Sequence, residues 1–307
     1  MPATMRGVQL TGHGGPERLV WNEAIPRPDP GPGEVLVKVL AAGVNNTDIN
    51  TRVGWYAPEV TGATVEGDVA VEAGGWGGAL DFPRIQGADL CGRVVALGEG
   101  VTAPAIGVRV ICPTSQPEPT AEHPVRFRVI GSEYDGAFAE YCVVPAHQLY
   151  DVSAAPLSDV EIGAMPCAFG TAFTLLHRAR VTSGDRVLVT GASGGVGLAA
   201  VMLAHHLGAE VTAQAAAAKA DAVRAAGAER VLGRGEVAEA GSVDVVVDLV
   251  GGPHWRAVLN ALRPGGRYAV AGAIAGPMVE MDLREVYLRD LSLFGCTYTA
   301  PEVFAGL

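Results

Sequence analysis

Two different hydrophobic patterns divide the chain. In the first half, short apolar segments with the two-residue alternation of β-strands are separated by turns rich in glycine and proline, as in EVLVKVLAAG, CGRVVALGEGV and GAFAEYCVVP. This half predicts an antiparallel, β-rich domain. Within it, residues 61–83 and 113–129 sustain neither the strand nor the helix period and are predicted to be long surface loops.

From about Leu157 the pattern changes to strand, glycine-rich turn and helix, repeated several times. The segment RVLVTGASGGVGLAAVMLAHHLGA shows one complete unit of this repeat. Strands such as VDVVVDLV are almost continuously apolar, as expected when helices cover both faces of a sheet. The second half therefore predicts an α/β domain with a doubly wound parallel sheet.

A glycine-rich turn follows the first strand of this repeat. Gly191, Gly194 and Gly197 form the pattern GxxGxxG directly before an apolar helix. Glycine lets the backbone turn sharply and approach a pyrophosphate, which the free amides and positive dipole end of the helix can bind. A tight turn without a ligand is the alternative, but the strand-turn-helix context favours a dinucleotide site. The predicted contacts in the turn are Gly191, Ser193, Gly194, Gly195, Val196 and Gly197.

The end of the second strand predicts which dinucleotide binds. NAD is normally held there by a carboxylate that accepts from the ribose hydroxyl, whereas this strand ends at Gln214 and Ala215, with Lys219 shortly after. A cation without a competing anion suits the 2′-phosphate of NADPH. Lys219 as a solvated helix residue is the alternative, so NADH stays possible.

Composition limits the other function classes. The chain has 307 residues, 49% hydrophobic and 18% charged, which indicates two globular domains. A formal net charge of -11 argues against nucleic acid as a partner. The N-terminus lacks an apolar signal core, and no uninterrupted apolar run predicts a membrane span. The five cysteines have no CxxC spacing, which suggests a reducing, cytoplasmic location.

Taken together, both halves resemble the medium-chain dehydrogenase/reductase superfamily, specifically its zinc-independent, quinone oxidoreductase-like branch. The motifs that carry the resemblance cover nearly the whole chain: GVNNTDIN, FPRIQGADLCGRVVALGEGV, TAFTLL, VLVTGASGGVGLAA, VDVVVDLVGG, LRPGGRYAVAGAIAG and DLSLFGCT. The resemblance implies a GroES-like catalytic domain over residues 1–152, completed in part by residues 297–307. It further implies a Rossmann domain over residues 153–296, and a cleft between the domains where the nicotinamide meets substrate.

The end of the chain predicts the start of a further helix. Thr299 and Glu302 have the spacing of a capping box, and Pro301 suits a first helical turn. The resemblance implies that the catalytic domain is completed by segments that would follow Leu307. We therefore expect a chain shortened relative to its ancestors.

Zinc is not expected as a cofactor. The catalytic zinc ligands of related dehydrogenases would fall at Asn45, Ala88, Asp89 and Cys167, and only the last two are residues that can bind zinc. A catalytic zinc site needs three protein ligands. Cys167 is therefore better interpreted as a small buried hydrophobe.

Without a metal, the charge that develops on a carbonyl oxygen must be met by hydrogen-bond donors. Asn45, Asp48, Asn50 and Tyr56 are spaced as NxxDxNxxxxxY, which looks like the active-site loop of zinc-free quinone reductases and medium-chain enoyl-thioester reductases. The Tyr56 phenol, with an ordinary pKa of about 10, can donate a proton, and Asn45 can orient substrate. Tyr56 as an aromatic pocket wall is an equal alternative, and Asp48 is expected to close the loop.

The remaining cofactor contacts come from the resemblance. It implies that Thr171 faces the nicotinamide, although a role as helix N-cap is equally plausible. Val250 and Gly251 end the strand VDVVVDLV on the carboxyl side of the sheet, where dinucleotides bind. Ala273 and Cys296 are implied at the ends of the last two strands. The resemblance also implies a homodimer or homotetramer, to which DLSLFGC can contribute an edge strand.

The sequence thus predicts a metal-free, NADPH-dependent reductase of a quinone or small α,β-unsaturated carbonyl. Two rivals in the same superfamily are an enoyl-thioester reductase and an alcohol dehydrogenase. A non-catalytic NADPH-binding protein is the alternative from another class.

Overall fold

The computed structural model describes residues 2–64 and 75–307. These residues form two compact units that divide between Cys167 and Ala168, with the short segment that begins at Thr61 grouped with the second unit. Residues 297–307, expected to complete the first domain, also group with the second unit. The limits 1–152 and 153–296 for the two family domains stay a prediction.

The first unit is mainly antiparallel β-structure, as the alternating pattern predicts. In the described residues its strands form a five-stranded sheet in the order β10-β6-β5-β3-β9, a three-stranded sheet β2-β1-β4 and a hairpin β7-β8. Its elements are β1 Thr4–Leu10, β2 Leu19–Pro26, β3 Glu34–Ala41, α1 Asn46–Val53, β4 Arg84–Ile85, β5 Cys91–Leu97, β6 Arg109–Ile111, β7 Ser115–Pro117, β8 Phe127–Val129, β9 Tyr141–Pro145, β10 Tyr150–Asp151 and α2 Asp159–Gly163.

The two predicted loops of this unit have different outcomes. Residues 113–129 are not simply a surface loop, because they contain the β7-β8 hairpin and bury Gln116 to 1% exposure. Prolines and an irregular hydrophobic pattern concealed these short strands. The other predicted loop, residues 61–83, lies partly outside the described residues.

The second unit is built on a parallel sheet, which confirms the predicted doubly wound α/β fold. Six described strands have the order β13-β12-β11-β14-β15-β16 and are all parallel. The elements are α3 Pro166–Arg178, which begins just before the boundary, β11 Arg186–Val189, α4 Gly195–His206, β12 Glu210–Gln214, α5 Ala220–Ala225, β13 Arg230–Leu232, β14 Val243–Asp248, α6 Trp255–Asn260, β15 Leu262–Val270, α7 Leu283–Tyr287, β16 Ser292–Gly295 and α8 Pro301–Ala305.

The strand order places the ligand edge of this sheet. Strands β11 and β14 are neighbours, but the chain leaves β11 towards β12 on one side and continues from β14 to β15 on the other. Dinucleotides bind at the carboxyl ends of strands where the order reverses in this way. Every residue of β14 is buried, including its four valines and the two acidic residues Asp244 and Asp248.

The last helix begins one residue later than its sequence suggests. Ala300 is the N-cap of α8 and makes no side-chain cap, so the predicted Thr299 capping box is wrong, whereas Pro301 does occupy the first turn. The Thr299 hydroxyl instead accepts from the Thr174 hydroxyl at 3.1 Å, and Thr299 is 5% exposed. The Thr299 hydroxyl, which the capping box would have required, therefore interacts with Thr174 of α3.

All five cysteines are buried free thiols. Burial raises the pKa of Cys91 and Cys296 to about 11 and that of Cys112 to about 12. In the part of the chain that the structure describes, no helix is long and apolar enough to cross a bilayer.

Candidate active site

Each unit carries some of the predicted site residues. In the first unit, α1 begins directly after Asn45 and is stabilised there by Asp48. The Asp48 carboxylate accepts the Asn45 backbone N–H at 2.8 Å, as an acidic residue at N3 of a helix can, and the Ala88 N–H at 3.1 Å. Asp48 thus closes the loop as predicted, and it also ties α1 to the segment before β5.

A second buried carboxylate holds the Asn45 side chain. Asp89 is 1% exposed, and its Oδ2 accepts from Asn45 Nδ2 at 2.8 Å while its Oδ1 accepts from the Cys167 N–H at 2.7 Å. Burial raises the pKa of both Asp48 and Asp89 to about 6. Two carboxylates therefore fix Asn45, one through its backbone and one through its amide.

The Tyr56 hydroxyl returns to the first turn of α1. Gly54 ends the helix with φ 74°, a left-handed conformation that glycine adopts without strain, and the chain turns back. The Tyr56 hydroxyl then donates to Thr47 Oγ1 at 3.2 Å. Because Thr47 is only two residues from Asn45, the two predicted catalytic residues lie at the same end of α1.

Aromatic rings surround Tyr56. Its ring makes edge contacts with Trp55 at 5.6 Å and with Trp76 at 5.4 Å between centroids, and Trp76 contacts Phe127 at 6.3 Å. Burial raises the pKa of the Tyr56 phenol, and the hydrogen bond with Thr47 acts in the opposite direction and lowers it. The phenol is thus kept protonated at neutral pH and lies among aromatic rings, and both interpretations of Tyr56 stay predictions.

The positions at which the resemblance implies zinc ligands form a hydrogen-bonded cluster in this chain. Asn45, Asp89 and Cys167 are linked through the Asp89 carboxylate, and Ala88 has no ligating atom in its side chain. Among residues 2–64 and 75–307, no three His, Cys, Asp or Glu side chains group as a metal site.

In the second unit, the glycine turn forms an open cradle before α4. Gly191 has φ 59°, and a Cβ on Gly197 would lie 2.3 Å from the Gly191 carbonyl oxygen, so neither position tolerates a side chain. Gly194 and Gly195 are exposed, and the first turn of α4 contains no acidic residue. The Gly194 N–H donates to the Gly191 carbonyl at 3.0 Å and closes the turn, and Ser193 and Val196 are half-buried beside it. The N–H groups of the first turn of α4, which begins at Gly195, carry the positive end of the helix dipole and suit a pyrophosphate.

The end of β12 brings in a cation that the sequence reasoning missed. Gln214 Nε2 donates to the Glu236 carbonyl at 2.7 Å, and this bond holds residues 233–236 beside the end of β12. The exposed Arg234 belongs to this segment. Ala215 is buried, whereas Lys219 is exposed at the start of α5. The polar sequence GRGE after β13 could have indicated Arg234, but the prediction considered only the end of the second strand.

Three further predicted contacts lie together at the carboxyl edge of the sheet. A Cβ on Gly191 would lie 3.2 Å from Val250, which places the glycine turn against the residues after β14. Gly251, with φ 58°, approaches Ala273, and the Ala275 N–H donates to the Val250 carbonyl at 2.9 Å. Residues that are distant in sequence thus form one surface.

Thr171 and Cys296 are placed by α3 and β16. Thr171 is half-buried within α3, which begins at Pro166, so the alternative role as a helix N-cap is wrong. Cys296 follows β16, is 5% exposed, and donates its N–H to the Val270 carbonyl at 2.9 Å. A backbone role for Cys296 stays a prediction.

Comparison with known families agrees with this architecture. Residues 31–154 match the family model of the alcohol dehydrogenase GroES-like domain, and residues 195–307 match that of the zinc-binding dehydrogenases. A quinone oxidoreductase from Lama guanicoe is 30% identical over 305 residues, covering 95% of this chain and 80% of the relative. The chain is a medium-chain dehydrogenase/reductase of the quinone oxidoreductase-like branch. It is therefore an NAD(P)H-dependent oxidoreductase with a GroES-like and a Rossmann-type domain.

Other members of the superfamily show the range of activities around this enzyme. An acryloyl-coenzyme A reductase from Metallosphaera sedula is 29% identical, covering 95% of this chain and 84% of the relative. A protein from Sinorhizobium meliloti assigned to the alcohol dehydrogenases has a TM-score of 0.87 at 41% identity, covering 100% of this chain and 86% of that one. A mycobacterial protein in complex with NADPH has a TM-score of 0.77 at 29% identity, covering 99% and 86%.

Replacing Asp89 by Asn is expected to flatten the pH dependence of this enzyme's stability. Because burial raises the folded-state pKa of Asp89 above its unfolded value, the folded chain binds the extra proton between pH 4 and 6, and the free energy of unfolding falls as pH rises through that window. The free energy of unfolding is measured with denaturant at pH 4.5 and at pH 7.5. Its change from the lower to the higher pH should be more positive in Asp89→Asn than in the wild type, by on the order of 2 kcal/mol. Exposed Asp81→Asn is the control, and an equal difference in all three proteins would contradict the prediction.

Proposed function

We propose that this enzyme is a metal-free, NADPH-dependent reductase whose substrate is a quinone or a small α,β-unsaturated carbonyl compound. The observation that carries the proposal is the protonated Tyr56 hydroxyl at the same end of α1 as the fixed amide of Asn45. Its relatives include quinone oxidoreductases and an acryloyl-coenzyme A reductase, and both kinds of substrate have an electrophilic carbon conjugated to a carbonyl.

Neutral donors suit a conjugated acceptor better than a simple ketone. Zinc polarises a carbonyl as a Lewis acid, whereas an amide or a phenol offers a hydrogen bond. A conjugated acceptor needs less polarisation because its developing charge spreads over several atoms. The replacement of zinc-ligand positions by Asn45 and Ala88 therefore supports an enone or quinone over an alcohol.

The chain's residues supply the proton and the substrate contacts. Bound NADPH provides the hydride that adds to the electrophilic carbon. Asn45 orients the carbonyl through its amide, which Asp89 holds in place. Tyr56 releases its phenolic proton to the carbanion-like carbon or oxygen of the reduced acceptor, and solvent then restores that proton. One hydride and one proton thus reduce the acceptor by two electrons.

An enoyl-thioester is the second candidate substrate. The acryloyl-coenzyme A reductase relative favours it, because a thioester conjugated to an alkene undergoes the same hydride and proton addition. The net charge of -11 does not favour the phosphates of coenzyme A. The preferred acceptor separates these two candidates.

Removing the proton donor is expected to slow turnover without weakening cofactor binding. NADPH oxidation should be measured with a chelator present against one quinone, one small enone and one enoyl-thioester. Tyr56→Phe should lower kcat about a hundredfold on the best acceptor, as loss of a general acid does, and Tyr56→Phe with Asn45→Ala should lower it further.

Tyr287→Phe, which removes an exposed hydroxyl, is the control for that series. Unchanged turnover in the double variant would refute the proposed roles. Loss of wild-type activity on adding the chelator would refute metal-free catalysis.

Lys219 is proposed to select NADPH through its 2′-phosphate, and Arg234 is proposed as a second cation at that position. Lys219→Ala should raise the KM for NADPH about tenfold, the loss of one charge-assisted hydrogen bond, and leave the KM for NADH unchanged. The other lysine of the chain, exposed Lys38, provides the matched control Lys38→Ala. Equal effects on NADPH and NADH would show that Lys219 does not contact the phosphate.

A homo-oligomer is proposed to form through β16. This strand is the edge of the parallel sheet, and apolar side chains near it are exposed, including Leu293 at 36% and Leu288 at 72%. Placing a charge on an edge strand disfavours pairing with another strand. Leu293→Lys should therefore lower the mass measured by sedimentation, whereas Val160→Lys, at an exposed apolar position of the first unit, should not. An unchanged mass in Leu293→Lys would exclude this edge.

We also propose a cytoplasmic location. The five free thiols support it, since a reducing compartment preserves them.

A further inference from the structure

One buried carboxylate connects the segments of the second unit that are predicted to contact the cofactor. Asp248 ends β14 and is 1% exposed. It lies at the carboxyl edge of the sheet, beside the point where the strand order reverses between β11 and β14. The cofactor contacts predicted from sequence did not include it.

The Asp248 oxygens are met by neutral donors from three parts of the fold. Oδ1 accepts from the Thr190 hydroxyl at 2.6 Å and from the Val250 and Gly251 N–H groups at 2.9 and 3.2 Å. Oδ2 accepts from the Tyr268 hydroxyl at 2.5 Å. Among the described residues no cation forms an ion pair with Asp248, so these donors stabilise the carboxylate in the interior.

Thr190 extends this connection across the reversal point. It follows β11 directly and precedes Gly191, and its hydroxyl accepts the Leu249 N–H at 3.0 Å while donating to Asp248. The turn after β11 and the turn after β14 therefore share one hydrogen-bonded junction. Packing agrees, because a Cβ on Gly191 would lie 3.2 Å from Val250.

The same junction reaches the turn after β15. Two backbone hydrogen bonds join the turn after β15 to the turn after β14, from the Ala275 N–H to the Val250 carbonyl at 2.9 Å and from the Ile274 N–H to the Leu249 carbonyl at 3.5 Å. Gly272 packs so closely that a Cβ there would lie 2.8 Å from the Leu249 carbonyl oxygen. The turn after β15 is thus connected to the Asp248 junction through the backbone of Leu249 and Val250.

We propose that Asp248, with Thr190 and Tyr268, is a positioning group that sets the three turns at the spacing the bound dinucleotide requires. The proposal rests on the dinucleotide site of the proposed function, but not on the identity of the acceptor. Asp248 itself does not contact the cofactor. Its effect is exerted through the backbone of the turns after β11, β14 and β15.

The test compares isosteric variants by cofactor affinity and by stability. Thr190→Val and Tyr268→Phe each remove one hydroxyl and retain the shape of the side chain, including the edge contact of Tyr268 with Trp255 at 6.1 Å. Asp248→Asn cannot accept at both oxygens. Thr190→Ser restores the hydroxyl, and exposed Asp81→Asn in the first unit is the surface control. Affinity for NADPH and NADH is measured by fluorescence titration well below the thermal midpoint, which is measured separately.

We expect Kd for the preferred dinucleotide to rise about tenfold in Thr190→Val and in Asp248→Asn, and Thr190→Ser to return close to the wild-type value. In Thr190→Val, the KM for the dinucleotide should rise, whereas kcat, measured at saturating dinucleotide, should change much less. A lowered thermal midpoint with unchanged Kd in Thr190→Val and Tyr268→Phe would overturn the proposal, because the junction would then serve stability alone. Wild-type protein that binds neither dinucleotide would refute the proposed function instead.

Discussion

The oxygens of a carboxylate that is buried on folding must accept hydrogen bonds from protein donors, and this constraint organises both units. In the first unit it draws Asn45, Ala88 and Cys167 towards Asp48 and Asp89. In the second it draws three turns towards Asp248. Several candidate residues are themselves the donors: Asn45 in the first unit, and Val250 and Gly251 in the second. Their positions therefore depend on hydrogen bonds to buried carboxylates.

Strand β14 shows two solutions to this constraint. Asp244, the second residue of the strand, is paired with the guanidinium groups of Arg186 and Arg263, which hold the pKa of its carboxyl well below the ordinary value. Asp248, at its last residue, is met by hydroxyls and backbone amides alone. Arginines reach Asp244 because that end is near solvent, whereas the Asp248 end is closed by the turns it holds.

The parts of the structure set by local rules were predictable from sequence. The parallel sheet and the glycine turn before α4 follow from hydrophobic period and backbone sterics, which neighbouring residues determine. The parts set by distant partners were not. Thr299 carries a capping pattern but bonds to Thr174, and Gln116 lies in an irregular segment but is buried in a hairpin. The roles of Asp89, Arg234 and Asp248 depend on contacts across 20 to 78 positions, which no local pattern encodes.

The burial of the cysteines has a consequence for an enzyme of this chemistry. Conjugated carbonyl compounds and quinones alkylate thiolates, and a thiol reacts in proportion to its ionised fraction and its access. Here every thiol is buried, and burial raises the pKa of Cys91, Cys112, Cys142 and Cys296. Under the proposed function, this burial protects the enzyme from covalent inactivation by the electrophiles that it reduces.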